Sequence, residues 1–268
     1  MKKILLLIIL SGVAIAAAGQ LTETRKVAGF TGISASGVFV ITVTKGTAES
    51  LAITADEEVM PYVRSEVQDG VLKLYLAQGK RQRMKVTTLK AVVTVKDLSS
   101  VYLSGACRLT GESVFTPPAF NGDLSGASSL QLTVQTTRLS MEASGAGKVT
   151  LNAAVENTAK FDLSGAIKVQ GEINARRLTV DMSGSSRMYL SGAADKASFD
   201  LSGVANVKAG NLLSKEVEVE TSGASRVEVH VSASLRVHTS GASAVYYKGN
   251  PSSFDVKTSG ASKLKKTE

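Results

Sequence analysis

A chain of 268 residues with 20% charged and 43% hydrophobic side chains is too apolar for a disordered tail, and its 24 glycines beside only 4 prolines exclude a collagen-like repeat. With 7 Phe, 6 Tyr and no Trp, any core must be assembled from Val, Leu, Ile and Ala, which suits thin β layers rather than a bulky globular centre. The formal charge of +8 invites a nucleic-acid reading, but part of it belongs to a segment expected to be removed.

Residues 1–19 read as a secretory signal peptide. Lys2 and Lys3 precede an apolar run from Ile4 to Leu10 that continues through Val13 and Ile15, and Ala16-Ala17-Ala18-Gly19 supplies small residues for cleavage. The strongly apolar part is too short to span a bilayer. Cleavage removes two lysines and leaves 29 − 23 = +6 on the mature chain. The expectation is an exported protein, periplasmic, outer-surface or secreted, with no transmembrane segment in the mature chain. Cys107 is the only cysteine, so it forms no intramolecular disulfide, and it lies far from the cleavage site where a lipid-attachment cysteine would stand.

Residues 20–99 are expected to form an irregular β region that caps the remainder of the chain. Ser36-Gly37 is followed by Val38, Val40 and Val43, then by a turn at Gly46 and a strand from Leu51 to Thr54. Asp56 to Tyr62 reads as a loop or short helix, and Asp69-Gly70 before Val71, Leu72, Leu74 and Leu76 reads as a hairpin turn.

From residue 100 to 268 the chain repeats. Ser-Gly recurs at Ser104, Ser125, Ser144, Ser164, Ser183, Ser202, Ser222, Ser240 and Ser259, in steps of 21, 19, 20, 19, 19, 20, 18 and 19 residues. Ser191-Gly192 falls off this phase and reads as coincidence. Three residues before the repeated Ser stand Val101, Gly122, Met141, Phe161, Val180, Phe199, Val219, Val237 and Val256. Five residues after it stand Leu109, Leu130, Val149, Val169, Met188, Val207, Val227, Val245 and Leu264. Positions five, three and one before the Ser therefore share one strand face, and a second short strand is expected to begin about four residues after it. A unit this small cannot bury its apolar face alone, so the copies must stack. The predicted fold is all-β: a single-stranded parallel β-helix, or β-solenoid, of nine coils of about 19 residues, forming a rod on the order of 40 Å long.

Several of these segments together resemble the head GIN domain family: Gly29-Phe30-Thr31-Gly32-Ile33-Ser34-Ala35-Ser36-Gly37-Val38-Phe39, Asp56-Glu57 to Pro61-Tyr62, Asp69-Gly70-Val71-Leu72, the reiterated Leu-Ser-Gly-Ala-Ser, and Val245-Tyr246-Tyr247-Lys248-Gly249-Asn250-Pro251. Members of that family are described as autotransporter adhesins, chiefly exported proteins of Bacteroidota-type bacteria. The resemblance covers nearly the whole mature chain. It implies a right-handed β-helix outside the cytoplasm and brings no catalytic motif with it. The long membrane-barrel domain of a true autotransporter is not recognisable in this sequence.

Two charged columns emerge from the repeat. Two residues before the Ser stand Asp123, Glu142, Asp162, Asp181, Asp200 and Glu220. Stacked carboxylates can share a Ca²⁺ ion, but such sites need about six oxygens and no compact ligand loop is present, so a solvated face is the favoured reading and no metal site is expected. Four residues after the Ser stand Arg108, Lys148, Lys168, Arg187 and Arg226, with Lys263 at the end. These either balance the acids or form a ligand surface for an anionic polysaccharide or the phosphates of a lipopolysaccharide.

Catalytic residues and cofactors are not expected. His230 and His238 have no reason to serve nine serines, and Cys107 stands where other coils carry Ser128, Ser225, Ser243 and Ser262, which marks it as a packing variant. Tyr102, Tyr189, Tyr246 and Tyr247 are candidates for stacking on sugars. Nucleic acid is excluded by export and by the lack of interleaved aromatics. The expected function is a non-enzymatic adhesin or cell-envelope binding module whose partner is a surface glycan or an envelope protein. A polysaccharide-active, pectate-lyase-like enzyme and an envelope scaffold remain as alternatives. The only stretch irregular enough for an enzyme site is Ala77 to Ala91, with Lys80, Arg81, Arg83 and Lys85.

Overall fold

A computed structural model describes residues 19–77 and 85–267. The expected signal peptide, apart from Gly19, and the residues Lys80, Arg81 and Arg83 lie outside these. The chain winds into a parallel β-solenoid of about nine turns, as the period predicts.

The alternation along one coil explains the winding. In Lys148–Gly165 the side chains of Val149, Leu151, Ala153, Val155, Ala159, Phe161 and Leu163 are buried, whereas Lys148, Asn152, Ala154, Glu156, Lys160, Asp162 and Ser164 are exposed. A period of two held over so many residues gives a coil one apolar lining and one wet surface. Neither is stable without a neighbour above and below, and the coils pair in parallel with matching residues stacked: Val149 lies between Leu130 and Val169, and Phe161 between Met141 and Val180. The one glycine among the inward positions three before the Ser, Gly122, leaves the space that Met141 fills, since a Cβ there would lie 2.7 Å from the Met141 Sδ.

The second strand does begin four residues after each Ser, and in six of the nine coils it is longer than expected, whereas Arg108–Phe115, Ala244–Lys248 and Lys263–Lys266 are short. The strands β11 (Ser129–Gly145), β12 (Lys148–Gly165), β13 (Lys168–Gly184), β14 (Arg187–Gly203), β15 (Asn206–Gly223) and β16 (Arg226–Thr239) run on to or near the next Ser-Gly. In β11 and β12 the bend is accompanied by a slip in register, between Thr136 and Arg138 and between Val155 and Thr158, rather than by a break in the strand, whereas β13 pairs with β14 without a slip.

The tight corner is the Ser-Gly step itself. Gly145 has φ +90°, and a Cβ on it would stand 2.6 Å from the carbonyl oxygen of Gly126 in the preceding coil. Only glycine fits where backbone is stacked on backbone this closely. Gly192, expected to be coincidental, turns out to be under the same constraint: its φ is +111°, and a Cβ would overlap the Ile173 carbonyl oxygen and lie 2.9 Å from its carbon. Just past the corner an inward column of small residues includes Cys107, Ser128, Gly147, Ser186, Ala205, Ser225 and Ser243, all buried. Its hydroxyls are satisfied by neighbouring backbone: Ser186 Oγ donates to the Gly165 carbonyl and accepts from the Ile167 N–H, both at 3.1 Å.

Residues 20–95 build onto one end. β2 (Gly32–Gly37) and β3 (Val40–Lys45) form a coil in register with β8 (Ser100–Gly105) and β9 (Arg108–Phe115), so that Ser36 stacks on Ser104 and Gly37 on Gly105. Beyond it, β6 (Val71–Leu76) adds to β2 and β7 (Leu89–Val95) adds to β3. Antiparallel strands lie on the outside: β5 (Val63–Gln68) on β6, then β4 (Ser50–Asp56) on β7, and β1 (Gln20–Arg25) on β4. The expected turn at Asp69-Gly70 is present, with φ values of +52° and +74°, and Met60–Tyr62 forms a short 3₁₀ turn. The Arg25 guanidinium donates to the Val63 carbonyl and the Ser65 hydroxyl, both at 3.1 Å, and so ties β1 to β5. Asp56 closes the loop before β7, accepting from the Thr87 N–H, the Thr87 hydroxyl and the Thr88 N–H at 2.6, 2.7 and 3.0 Å. At the other end, the last coil leaves inward positions uncovered, with Phe254 51% and Val256 42% exposed.

Candidate ligand-binding surfaces

Stacking converts each sequence column into a line along the rod. Arg108, Ser129, Lys148, Lys168, Arg187, Asn206, Arg226, Ala244 and Lys263 pair in that order from coil to coil. Lys148, Lys168 and Arg187 are consecutive, so three positive side chains project at a pitch of about 4.8 Å. Two residues further along the same strands stand Tyr189, Lys208, Glu228, Tyr246 and Lys265. The Tyr189 ring has the Lys168 and Lys208 ammonium groups 5.5 and 5.8 Å from its centre, and the Tyr246 ring has Arg226 at 4.4 Å and Lys263 at 5.8 Å. The π faces stabilise cations that have few carboxylate partners. Glu228 pairs with Arg226 at 3.2 Å. Sequence reasoning noted the two tyrosines but missed that Lys208 and Lys265 share their face. The spacing of six after each Ser was the signal.

The acidic column is equally continuous: Asp123, Glu142, Asp162, Asp181, Asp200 and Glu220 stack in order, followed by His238 and Lys257. Burial, and then the charges of Asp162 and Asp200, hold the Asp181 carboxyl above its ordinary range against the opposing pull of Lys160. Among the described residues Lys160 is the only lysine or arginine paired with this line, and other bases pair carboxylates beside it. Lys160 lies 4.0 Å from Asp162, Lys196 lies 2.9 Å from Glu218, and Arg236 bridges Glu218 and Asp255 at 3.3 and 3.1 Å. His238 sits between Glu220 and Asp255, 4.0 and 3.6 Å away. Among the described residues no group of three or more His, Cys, Asp or Glu is placed to hold a metal ion.

A third line was not foreseen. Where the coils bend, a groove of about 1170 Å³ runs along the rod from Pro117 and Pro118 to Ser232. Its floor stacks Thr136, Val155, Ala175, Ala194 and Ser214, and beside them Gln135, Ala154, Asn174, Ala193, Leu213 and His230. Leu213 is 56% exposed. The rim carries Glu156, Arg176, Asp195 and Lys215 in alternating sign, with Lys215 2.7 Å from Asp195.

An all-β rod whose surface is divided into longitudinal charged and apolar lines defines the class: a β-solenoid that presents extended surfaces. Sequence comparison gives the family. Residues 29–170 and 156–251 match the profile described as "Putative auto-transporter adhesin, head GIN domain", and the chain belongs to that family. Among proteins of curated function, none matches. Among solved structures it is similar to a protein from Parabacteroides distasonis described as a putative adhesin, with 19% identity, a TM-score of 0.72, and 92% of this chain and 97% of that one covered. It is also similar to a putative adhesin from Parabacteroides merdae, with 21% identity, a TM-score of 0.68, and 93% and 96% covered. A third, from P. distasonis and described as a putative lipid binding protein, has 19% identity, a TM-score of 0.71, and 93% and 97% covered. At these identities the likeness carries the fold.

Proposed function

We propose that the protein is an exported, non-enzymatic binding module of the cell envelope, an adhesin that holds an anionic surface glycan, or phosphate groups carried on one, along its basic face. The observation that carries this reading is the stacked run of Lys148, Lys168 and Arg187 beside Tyr189 and Lys208. Each exposed contact between one such base and an anion is worth at most about 1 kcal/mol, so useful affinity has to come from a ligand whose charges repeat along the rod. A polyanion does this and a small metabolite does not. The family supports an exported or surface location, and among the described residues no helix is long and apolar enough to cross a membrane. Binding is favoured over polysaccharide cleavage because the repeat steps vary only between 18 and 21 residues, which leaves no inserted loops in the repeat region to build a catalytic groove over one bond.

The test is a glycan array probed with the mature chain at low and high salt, beside a Lys148→Glu/Lys168→Glu/Arg187→Glu variant. Saturable, salt-sensitive binding to uronic-acid, sulfated or phosphorylated glycans, lost in the variant at unchanged thermal midpoint, is the expected result. Release of cleaved product, or equal binding by the variant, would overturn it.

A further inference from the structure

We infer that the groove along the bends of the coils is a second binding site, for a single extended hydrocarbon chain such as the acyl chain of a lipid. It is separate from the basic face and does not depend on the function proposed for that face.

The lining selects the occupant. From Gln135 to His230 the groove crosses six coils in register, a straight run of about 24 Å. Its middle is aliphatic, with Ala154, Val155, Ala175, Ala193, Ala194 and Leu213. The two amides that interrupt it are Gln135 and Asn174, and the Asn174 side chain is engaged by Glu172 at 3.2 Å. The rim offers no surplus charge, because Glu156, Arg176, Asp195 and Lys215 sum to zero and Asp195 is held in its ionised form chiefly by the Lys215 hydrogen bond. An ionic ligand would find Asp195 and Lys215 already paired and no net charge on the rim to draw it.

A peptide strand fits poorly. It would lie across the coils, whose backbone groups are committed to the coil-to-coil ladder, and its own amides would lose water without gaining partners. A sugar chain fits poorly as well, since the lining has no Phe, Tyr or Trp to stack on its rings. A methylene chain makes neither demand and gains from every group it removes from water. The length agrees: one leaflet of a bilayer is about 15 Å of hydrocarbon, half of the roughly 30 Å core, so an extended membrane-lipid chain lies within the run.

The experiment uses the mature chain and a fluorescent polyene fatty acid below its micellar concentration, displaced by saturated fatty acids of 8, 12 and 16 carbons and by a 16-carbon lysophosphatidylcholine. Affinity should rise with chain length, by up to about fourfold per added methylene. Equal displacement by the last two identifies the chain as the ligand, and stronger displacement by the lysolipid adds its headgroup. An Ala154→Glu/Ala193→Glu variant, altered at two exposed positions, should lose at least tenfold in affinity, whereas Ala166→Glu on the Ser-Gly corner should bind as the parent does. Should the double variant be less stable, Leu213→Asp, also at an exposed position, provides the same comparison. Affinity independent of chain length, undiminished binding in the groove variants, or displacement of the probe by a neutral oligosaccharide or an extended apolar peptide would each overturn the inference.

Discussion

Replacing one corner glycine by alanine tests why the Ser-Gly step repeats. In Gly145→Ala the backbone stays at φ +90°, a conformation that costs an L-residue roughly 1–2 kcal/mol. The new methyl group would also stand 2.6 Å from the Gly126 carbonyl oxygen and 3.1 Å from the Gly126 nitrogen. That carbonyl cannot retreat freely, because it accepts the Ala146 N–H at 2.8 Å and so carries the bond that joins the two coils. Forcing an extra methyl into a packed site costs about 1–3 kcal/mol, so the sum is about 2–5 kcal/mol. Gly210 is the control: its φ is not positive, and a Cβ there meets nothing closer than the Lys248 Cε at 4.0 Å. Gly210→Ala should be neutral or stabilising by about 0.4–1 kcal/mol, through the unfolded chain. Urea unfolding followed by circular dichroism reads both, with the slope checked because stacked repeats need not unfold in one step. If the corner glycine served only to loosen the unfolded chain, Gly145→Ala would stabilise, as the control does. Equal midpoints for the two variants would refute the steric argument.

Two further outcomes concern the interior and the acidic face. The Cys107 thiol is buried, and burial pushes its pKa up despite a backbone hydrogen bond from Phe39; it should therefore resist a thiol reagent in the folded protein and react once in urea, and Cys107→Ser should leave the thermal midpoint within a few degrees. Asp181 has its pKa raised in the fold above the ordinary 3.8, so its ionised form weakens the folded state at neutral pH and protonation relieves it on acidification. Asp181→Asn should raise the midpoint at pH 7, with the advantage shrinking as the pH falls through the raised pKa and gone below about 3.8; a lower midpoint at pH 7, or an offset that ignores pH, would contradict this.

The fold was legible because the solenoid writes its period into the chain. Ser-Gly fixes the corner, and the alternation before it separates Phe161 from Asp162 without ambiguity. Cys107 was recognisable as an interior residue from the serines in its column, and it is buried. The groove was not legible for a physical reason. Counted from the preceding Ser, its residues drift, with Ala193 ten places on, Leu213 eleven and His230 eight. Coils differ in length, and the difference is absorbed at the bend, where the register slips. Counted back from the following Ser, the same residues fall nine or ten places before it in every coil. A repeat aligned on one corner blurs whatever lies beyond the next. Gly192 was missed for a related reason, since a second close approach of backbone leaves no repeating pair to mark it.

The two charged lines are similar in sequence but differ in physical consequence. Any like-charged column in a solenoid brings its members to about 4.8 Å, and the repulsion must be answered locally or left to the solvent. On the acidic line it is answered only in part: Lys160 stands beside Asp162 and His238 beside Glu220, each at 4.0 Å, and at Asp181 burial and the neighbouring carboxylates push the pKa up. On the basic line, among the described residues, Arg226 alone of the five ladder bases from Arg108 to Arg226 has a carboxylate partner, and the relief comes from the rings of Tyr189 and Tyr246. An aromatic face steadies a cation without cancelling its charge. The line from Arg108 to Arg226 therefore keeps most of its positive charge. A surface that keeps its like charges in a row, unpaired and within reach of solvent, is the arrangement a repeating anion would neutralise.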